Sequence, residues 1–293
     1  MPIRITPLTE LRHGASPPRL VWLASHSDGY PVGSAYLRLT SRAGQTHLAE
    51  ADLHVHPDER RHGIGSQLMA AAVAAARQDG RRSLISQAEA GSPGDLFLAA
   101  QGFRKVLTLM FTRLALETAD LAALTRIAAQ PHPGYRLTSW DGVVPDELAE
   151  TFAASRRAMD DMPMDDTDFG TVAWDVEAVR AAAAAVAERG ELLHTVAVID
   201  ESDGSVAGFT ELVVPGDGEG DGQHYGTGVL PEHRGHGLGR WMKAEAIRRA
   251  RQRHPGLGGL LADTAEGNLP MRRINDALGY QPTHRTLLRQ LDL

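Results

Sequence analysis

Cysteine is absent from this chain of 293 residues, and lysine occurs only twice, as Lys105 and Lys243. Without cysteine the chain forms no disulfide, no thiolate metal site and no cysteine nucleophile. No run approaches the roughly 20 apolar residues of a membrane-spanning helix, and residues 1–14 show no apolar signal segment. We therefore expect a cytoplasmic protein that is neither secreted nor inserted in a membrane.

Basic charge is scarce relative to acidic charge. The formal net charge is −7, from 30 Lys and Arg against 37 Asp and Glu. Because a nucleic-acid-binding protein needs a clustered basic face, we expect no nucleic acid partner. Hydrophobic residues make up 42% of the chain, which is enough to form real cores, and the length favours two domains. The dominance of arginine over lysine indicates a high-GC bacterial genome.

Two segments of the chain repeat each other without a gap. They are residues 55–65, VHPDERRHGIG, and residues 229–239, VLPEHRGHGLG. Each precedes a run with apolar residues at three- and four-residue spacing, which predicts a helix. Each also follows three predicted strands, over 20–24, 32–39 and 47–55 in the first half and over 193–199, 206–214 and 223–230 in the second. The repeat predicts two tandem copies of one α/β unit.

The second copy has more elements at its N-terminal end than the first. Its sequence predicts a strand over 135–140 and two helices, at about 145–159 and 176–189. The first copy has only residues 6–19 in that place, and prolines and a glycine there disfavour a helix. An alanine- and leucine-rich helix is predicted over 114–130. The predicted domains are a shortened N-terminal domain 1–114, a helical linker 115–133 and a full-length C-terminal domain 134–293.

Both repeats carry the pattern Arg-x-x-Gly-x-Gly between a strand and a helix. Such a loop presents unpaired backbone N–H groups at a helix N-terminus, where the helix dipole favours an anion. Its glycines let a ligand approach the backbone closely. A turn without a ligand is the alternative for a single match, whereas two aligned copies favour binding. The pattern therefore predicts a cradle for a diphosphate group.

With these motifs the chain resembles the GNAT superfamily of acetyl-CoA-dependent N-acetyltransferases, and in particular its tandem actinobacterial members. The family pattern (Gln/Arg)-x-x-Gly-x-(Gly/Ala) is matched by Arg60, Gly63 and Gly65, and by Arg234, Gly237 and Gly239. The resemblance covers nearly all of both halves. It implies an α/β (α+β) fold with two domains, each a mixed, mostly antiparallel sheet flanked by helices. It also implies direct attack of an acceptor amine on the thioester of acetyl-CoA.

The resemblance assigns coenzyme contacts to each loop and to the strand before it. In the second copy they fall on Val229, Leu230, Arg234, Gly235, His236, Gly237, Leu238, Gly239, Arg240 and Asn268. In the first copy they fall on Val55, Arg60, Arg61, His62, Gly63, Ile64 and Gly65. The first copy has Leu98 where many members have a catalytic tyrosine. It is expected either to bind coenzyme without an acceptor pocket or to serve as a scaffold.

The second copy departs from the family at both catalytic positions. Gln223 stands where many members have a glutamate as general base, and Asn275 stands where many have a tyrosine as general acid. Neither amide exchanges a proton at neutral pH, although Asn275 can hydrogen-bond the thiolate or the acceptor. Glu211 is the preferred substitute base, and His224 and Tyr225 are further candidates for base and acid. A purely structural role is the alternative for each of these three residues.

An acidic loop in the second copy gives the only indication of the acceptor. By the resemblance, Asp160, Asp161, Asp165 and Asp166 edge the acceptor site. Such a loop suits a small cationic amine, although a solvated acidic loop is the alternative. We expect a monomer or a homodimer and no metal. A non-catalytic acetyl-CoA-binding sensor or partner-binding protein is the alternative function, favoured by the absence of the usual base and acid.

Overall fold

The computed structural model describes residues 3–8, 19–41, 44–163, 166–170 and 173–293. The chain forms two compact units. The first consists of Met1–Thr108, Met164–Ala173 and Arg285–Leu293, and the second of Leu109–Pro163 and Trp174–His284. Each unit therefore includes residues from both halves of the sequence. The domain boundaries derived from the sequence stay a prediction.

The described secondary structure comprises strands and α-helices, with several strands in succession before α1 and before α6. In chain order these are β1 (Ile3–Leu8), β2 (Arg19–His26), β3 (Pro31–Leu39), β4 (Leu48–Val55), α1 (Ile64–Gln78), β5 (Ser83–Glu89), α2 (Pro93–Ala100), β6 (Arg104–Ala115), α3 (Leu121–Ala128), β7 (Tyr135–Asp141), α4 (Ala149–Ser155), α5 (Val176–Glu188), β8 (Glu191–Asp200), β9 (Val206–Pro215), β10 (Gly220–Val229), α6 (Leu238–Arg253), β11 (Leu257–Ala265), α7 (Leu269–Ala277) and β12 (Gln281–Asp292). None of the helices in the described ranges is long and apolar enough to cross a membrane.

The first unit is built on strands in the order β1, β2, β3, β4, β5 and the C-terminal part of β12. Strands β4 and β5 pair in parallel, and the other described pairs are antiparallel. Helix α1 buries Ile64, Leu68, Met69, Ala72 and Ala76 along one face. This helical spacing places the apolar residues against the sheet, where they join one hydrophobic core with residues of β2, β3 and β4.

The second unit has strands in the order β6, β11, β10, β9, β8 and β7. Strands β10 and β11 pair in parallel, and the other described pairs are antiparallel. Alternate residues of β9 face opposite sides of the sheet. Leu212 packs in one core with Ile247 of α6, whereas Phe209 packs in another with Phe152 of α4. Helix α6 therefore covers one face, and α4 covers the other.

The fold confirms a mixed, mostly antiparallel sheet with flanking helices in each unit. The predicted strands and the two helices near 145–159 and 176–189 are present, the first as α4 with short 3-10 turns at both ends. The helix predicted over 114–130 is wrong at its start, because Leu114 continues β6 and pairs with Leu260. Helix α3 begins only after Asp120, whose side chain caps it. Of residues 6–19, residues 6–8 lie in β1 and residues 9–18 lie outside the described residues.

Candidate active site

Two glycines with positive φ shape the loop between β10 and α6. Gly235 has φ +84° and Gly237 has φ +76°, and Gly237 is the N-cap of α6. This left-handed conformation costs a residue with a side chain about 1–2 kcal/mol. A Cβ atom added to Gly235 meets nothing within 4 Å. The loop therefore needs glycine for its conformation, and the same conformation leaves its backbone accessible.

The loop between β4 and α1 has the same backbone shape. Gly63 caps α1 with φ +81°, and Arg61 takes the place of Gly235 with φ +68°. Among the described residues Arg61 is the only residue other than glycine with a positive φ. A strained arginine at this point indicates that the loop shape is imposed by the surrounding structure.

The first arginine of each pattern ties its loop to the preceding strand. Arg234 Nε donates to the carbonyl oxygen of Val229 at 2.9 Å, and Arg60 Nε donates to that of Val55 at 3.3 Å. The guanidinium of Arg234 also forms an ion pair with Asp161 through two N–H groups. Both arginines therefore hold the shape of the loop, independently of any contact with a ligand.

The last glycine of each pattern permits close packing of two helices. A Cβ atom on Gly239 would lie 3.1 Å from Cδ1 of Ile274 in α7, and one on Gly65 would lie 3.2 Å from the ring of Phe97 in α2. These distances are shorter than about nine in ten real Cβ contacts, so a side chain there would require its neighbour to move. From the sequence, these glycines are expected to let a ligand approach the backbone. The structure shows that they also allow the two helices to pack closely.

The second loop fits a diphosphate group. Within the described part of the chain, no backbone N–H from Gly235 to Arg240 donates to a protein acceptor. These groups lie at the N-terminal end of α6, where the helix dipole favours negative charge. Arg240 is exposed in the first turn and forms no ion pair with a described residue. The corresponding residue of the first loop is Ser66, so only the second loop adds a cation at this position.

Strands β10 and β11 diverge beside this loop. Their parallel pairing ends at Gln223 and Leu261, although β10 continues to Val229 and β11 to Ala265. A bulge at Tyr225 also interrupts the pairing of β10 with β9. Strands β4 and β5 diverge in the same way after Glu50. A diverging parallel pair leaves backbone groups on its inner edges that can bind an extended, amide-containing chain.

Buried polar side chains lie between β10, α6 and α7, next to the point of divergence. Lys243 of α6, with 2% of its surface exposed, donates from Nζ to Asn275 Oδ1 at 2.7 Å. The same Nζ lies 4.9 Å from the ring centroid of Tyr280. The hydroxyl of Tyr280 lies 2.8 Å from Nε2 of His224, which is 7% exposed. These four side chains are called the buried polar cluster below.

The pKa values in the buried polar cluster shift toward neutral side chains. Burial lowers the pKa of Lys243 to about 7, against the opposing charge of Asp263. Burial, with the positive charge of Lys243, lowers the pKa of His224 well below its usual range. Burial also raises the pKa of Tyr280. At neutral pH His224 is therefore uncharged and Tyr280 is a protonated phenol that can donate to Nε2 of His224.

Gln223, at the family's general-base position, holds a carboxylate from the neighbouring strand. Its Nε2 donates to Oδ1 of Asp263 at 3.1 Å. Asp263 follows Ala262, whose side chain lies in the core beneath α6, so the carboxylate faces the opposite side. Although Asp263 reaches solvent, the protein around it desolvates the carboxylate and raises its pKa above the usual value. The hydrogen bond from Gln223 opposes this shift only in part.

Glu211, the preferred base of the sequence analysis, is buried in an ion pair. Its two carboxylate oxygens accept from NH1 and NH2 of Arg156 at 2.8 and 2.5 Å. The guanidinium also lies 4.6–4.8 Å from the ring centroids of Phe152, Trp174 and Phe209. Both oxygens therefore already accept charged hydrogen bonds, and a role for Glu211 as base stays a prediction.

Removing Arg156 alone is expected to destabilise the protein by about 3–5 kcal/mol, because it leaves the buried Glu211 carboxylate unpaired. The measurement is urea-induced unfolding of Arg156→Met. The matched control is Arg157→Met, whose exposed pair with Glu232 contributes about 1 kcal/mol or less. Replacing both partners, as Arg156→Met with Glu211→Leu, should recover most of the loss. Equal effects of the two single arginine variants would contradict this account.

The remaining catalytic and acceptor candidates have varied surroundings. Tyr225 is 51% exposed, and its hydroxyl accepts from Arg189 at 2.9 Å. In the acidic loop, Asp160 is exposed and forms no ion pair with a described residue, whereas Asp161 is bound to Arg234. Asp165 lies outside the described residues. Asp166 belongs to the first unit, where its N–H donates to the carbonyl oxygen of Val106 at 3.2 Å.

Some residues assigned to coenzyme by resemblance also have structural contacts. Asn268 is the N-cap of α7, and its Oδ1 accepts from the N–H of Met271 at 3.2 Å. Leu230 is buried, and its N–H donates to the carbonyl oxygen of Ala207 at 2.9 Å. These contacts fix the end of β10 and the start of α7 on either side of the loop. The coenzyme roles of these residues stay predictions.

Two loops with the same backbone shape, each at a helix N-terminus and beside a diverging parallel strand pair, are the features that the two units share. The chain belongs to the acetyltransferase (GNAT) family, whose model matches residues 4–103 and 158–280. It is therefore an N-acetyltransferase, and acetyl-CoA is its acyl donor.

Known proteins resemble the chain over most of its length. It is 30% identical to the mycothiol acetyltransferase of Nocardia farcinica over 270 residues. This alignment covers 89% of the present chain and 79% of the Nocardia protein. A tandem GNAT protein from the clavulanic acid biosynthesis pathway has 26% identity and a TM-score of 0.77, over 95% of this chain and 84% of that one. A GCN5-related N-acetyltransferase from Sphaerobacter thermophilus has 17% identity and a TM-score of 0.65, over 93% of this chain and 80% of that one, and shows the fold alone.

Sequence reasoning missed Lys243 and Asp263 as candidate site residues, although both left a signal. Lys243 is one of only two lysines in an arginine-rich chain, and it occupies a core-facing position of α6. Asp263 follows the apolar run 260–262 and lies within β11. A charged residue at a buried or strand position is a functional candidate because its burial is costly.

Proposed function

We propose that the second unit transfers the acetyl group of acetyl-CoA to the amine of a small, cationic acceptor. The observation that carries the proposal is a difference between the two units beside the diverging strands. The second unit has Gln223, Lys243, Asp263 and Asn275 there, and the corresponding residues of the first unit are Ala49, Met69, Ser86 and Leu98. Acyl transfer to an amine needs groups that exchange protons, and at these positions only the second unit has them.

The second loop supports coenzyme binding in this unit. The free N–H groups of residues 235–240 suit the diphosphate of coenzyme A, and Arg240 adds positive charge. The unpaired inner edge of β10 suits the amide groups of the pantetheine arm. When bound, acetyl-CoA supplies an activated acetyl thioester. The contribution of the loop and strand is to hold that group in one orientation.

Asp263 is the group we assign to removal of the proton from the acceptor nitrogen. It lies two residues beyond the last position at which β11 pairs with β10, at the mouth of the divergence, and it reaches solvent. The side-chain amide of Gln223 donates to one carboxylate oxygen of Asp263. The other oxygen receives no hydrogen bond from this amide. The raised pKa of Asp263 makes it a stronger base than an ordinary aspartate. Glu211 and His224 remain the alternative bases.

A cationic acceptor is supported by the carboxylates that reach solvent on this side of the sheet. Asp263 is one, and Asp160 of the acidic loop is another with no ion-pair partner among the described residues. Attraction of a protonated amine by such groups raises its local concentration, and a base is then needed to neutralise the nitrogen before attack. An amine that carries at least one positive charge would be attracted by these carboxylates and would need such a base.

The proposal is tested by following free thiol release from acetyl-CoA with a panel of small amines, polyamines, aminoglycosides and amino acids. Release above the hydrolysis rate is expected with at least one cationic amine. The rate should survive Gly63→Val in the first loop and be lost on Gly237→Val in the second. Loss only on the change in the first loop would place catalysis in the first unit instead. If no amine of the panel causes thiol release although acetyl-CoA still binds, the protein is better explained as a sensor without turnover.

For the first unit we propose coenzyme binding without turnover. Its loop keeps the same backbone shape, but Met69 and Leu98 replace the polar residues of the second unit. Titration calorimetry of the full chain should give two acetyl-CoA sites, and Gly63→Val should remove one of them. A single site that Gly63→Val leaves intact would instead make the first unit a scaffold.

A further inference from the structure

Lys243 is a buried lysine whose Nζ has no carboxylate hydrogen-bond partner in the described structure. Its hydrogen bond goes to the amide oxygen of Asn275 at 2.7 Å, and its side chain is 2% exposed. Burying a charge without an ionic partner is costly, and such residues are seldom kept for stability. The position therefore needs another explanation.

Packing does not require this lysine. The aligned loops place Met69 of α1 at the position of Lys243, and Leu98 of α2 at the position of Asn275. Both are buried, with 2% and 3% exposed. The chain thus contains an apolar solution to the same packing problem in the same fold. The polar pair in the second unit costs stability relative to that solution, which points to chemistry.

Lys243 lies on the side of the divergence that is covered by α6 and α7. It follows Gly237 by six residues, so it lies about 9 Å along the helix from the diphosphate cradle, at 1.5 Å per residue. Asp263 faces the other side of the sheet, and its charge still acts on Lys243. The two side chains therefore lie on opposite sides of the divergence where the thioester end of the arm is proposed to bind.

We propose that Lys243, oriented by Asn275, donates the proton that the sulfur of coenzyme A receives when the thioester bond breaks. The inference rests on the proposed acetyl transfer in the second unit. It assigns to a lysine on α6 the task for which the family's tyrosine is missing at Asn275.

The proton and electron balance is complete with the two side chains. The acceptor nitrogen, whose ammonium proton has already passed to solvent through Asp263, forms a bond to the acetyl carbon and loses a second proton to the Asp263 carboxylate. The carbon–sulfur bond breaks with its electron pair on sulfur, and a proton moves from Nζ of Lys243 to that sulfur. Asp263 is then protonated and Lys243 is neutral. Transfer of one proton through solvent restores both, and the net change moves one proton from amine to thiol.

The surroundings of Lys243 favour a donor that works near neutral pH. The titratable groups that contact it or act on its charge are His224 on β10, Asp263 on β11 and Tyr280 after α7, while Glu245 on its own helix is bound to Arg248 and Arg249. His224 and Tyr280 are uncharged at neutral pH. Because burial lowers the pKa of Lys243 to about 7, the ammonium form donates below that pH and is lost above it.

The first test uses the scarcity of lysine. Protein grown with 13C-lysine should give two side-chain ε-methylene signals in NMR, and Lys105→Arg assigns them. The Lys243 signal should titrate near pH 7 in the free protein. Saturation with coenzyme A should raise its midpoint, because the sulfur accepts a hydrogen bond from the ammonium form. Desulfo-coenzyme A, which lacks the thiol, should leave the midpoint unchanged. Equal shifts with both ligands would overturn the proposal.

The second test exchanges the polar pair for the apolar pair of the first unit, as Lys243→Met with Asn275→Leu. Thermal unfolding should show a fold at least as stable as the unaltered protein. Affinity for coenzyme A at pH 6, where Lys243 is an ammonium group, should fall about tenfold, because one charged hydrogen bond to the sulfur is lost. Affinity for desulfo-coenzyme A should not change. A matched variant, Lys105→Met, should alter neither affinity.

The two proposals fail in different ways. If binding of both ligands is lost on Gly237→Val but is unchanged in the double variant Lys243→Met with Asn275→Leu, the role of Lys243 is overturned. That result leaves the proposed acetyl transfer intact. If the unaltered protein binds neither ligand through the second loop, the proposed function itself is overturned. If desulfo-coenzyme A loses as much affinity as coenzyme A, the lysine supports packing of the site and not the sulfur.

Discussion

Replacing Asp263 by asparagine is expected to lower kcat by about 100- to 1,000-fold, the usual loss when a general base is removed. Asparagine keeps the size of the side chain and an oxygen that accepts from Gln223, but it takes up no proton. The affinity for acetyl-CoA should stay within about twofold, because the loop at residues 235–240 is untouched. The measurement is steady-state kinetics with the best amine of the panel, together with calorimetry of acetyl-CoA binding.

The pH dependence gives a sharper readout of the same variant. Asp263 acts in its ionised form, so the rate of the unaltered enzyme should fall as pH drops through its raised pKa. Asp263→Asn should lose this acidic limb. Ser86→Ala, at the corresponding position of the first unit, is the matched control and should change nothing. If Asp263→Asn keeps full activity while Glu211→Gln loses it, the base is Glu211.

Replacing Gly237 by valine is expected to abolish the thermal stabilisation that acetyl-CoA gives to the second unit. Gly237 has φ +76°, and a Cβ atom there would lie 3.5 Å from Cε1 of His132. The left-handed conformation costs about 1–2 kcal/mol for a residue with a side chain, and a β-branched residue is a marked outlier there. Relief of that strain moves the N–H groups that face the diphosphate. Affinity should fall by more than about tenfold.

Two controls separate loss of the cradle from loss of the fold. Gly204 has φ +78° in the turn between β8 and β9, and a Cβ atom there meets nothing within 4 Å. Gly204→Val should cost similar stability and leave acetyl-CoA binding intact. Gly63→Val should affect only the first loop. Survival of coenzyme-dependent stabilisation in Gly237→Val, with loss in Gly63→Val, would reverse the assignment of the two loops.

Local sequence patterns were sufficient for the elements on which the site is built. The repeated Arg-x-x-Gly-x-Gly segments predicted two strand–loop–helix units, because the glycines and the apolar spacing on either side of them are local features of the sequence. Alternating and helical spacing predicted most strands and helices. The helix over 114–130 was predicted too long, because alanine and leucine at 114–116 suit both helix and strand, and pairing of Leu114 with Leu260 decided for the strand.

The candidate chemistry could be predicted only in part, because it depends on contacts between distant residues. The sequence showed that Gln223 and Asn275 are not the usual base and acid. It did not show that Gln223 holds Asp263, or that Asn275 holds Lys243, since these partners lie 40 and 32 residues away. It also offered Glu211 as a base without indicating Arg156, which lies 55 residues away and pairs with it.

The sequence by itself determined the repeated loops with their flanking strands and helices, since these follow from short-range patterns, and its resemblance to the family implied the mixed sheets and the class of coenzyme. Tertiary structure alone decided which strands complete each unit. The end of β12 pairs with β5, and Leu114 of β6 pairs with β11. It also decided that a lysine and an aspartate lie on either side of the diverging strands. Burial and desolvation, which set the pKa values of these groups, arise only when distant segments pack together.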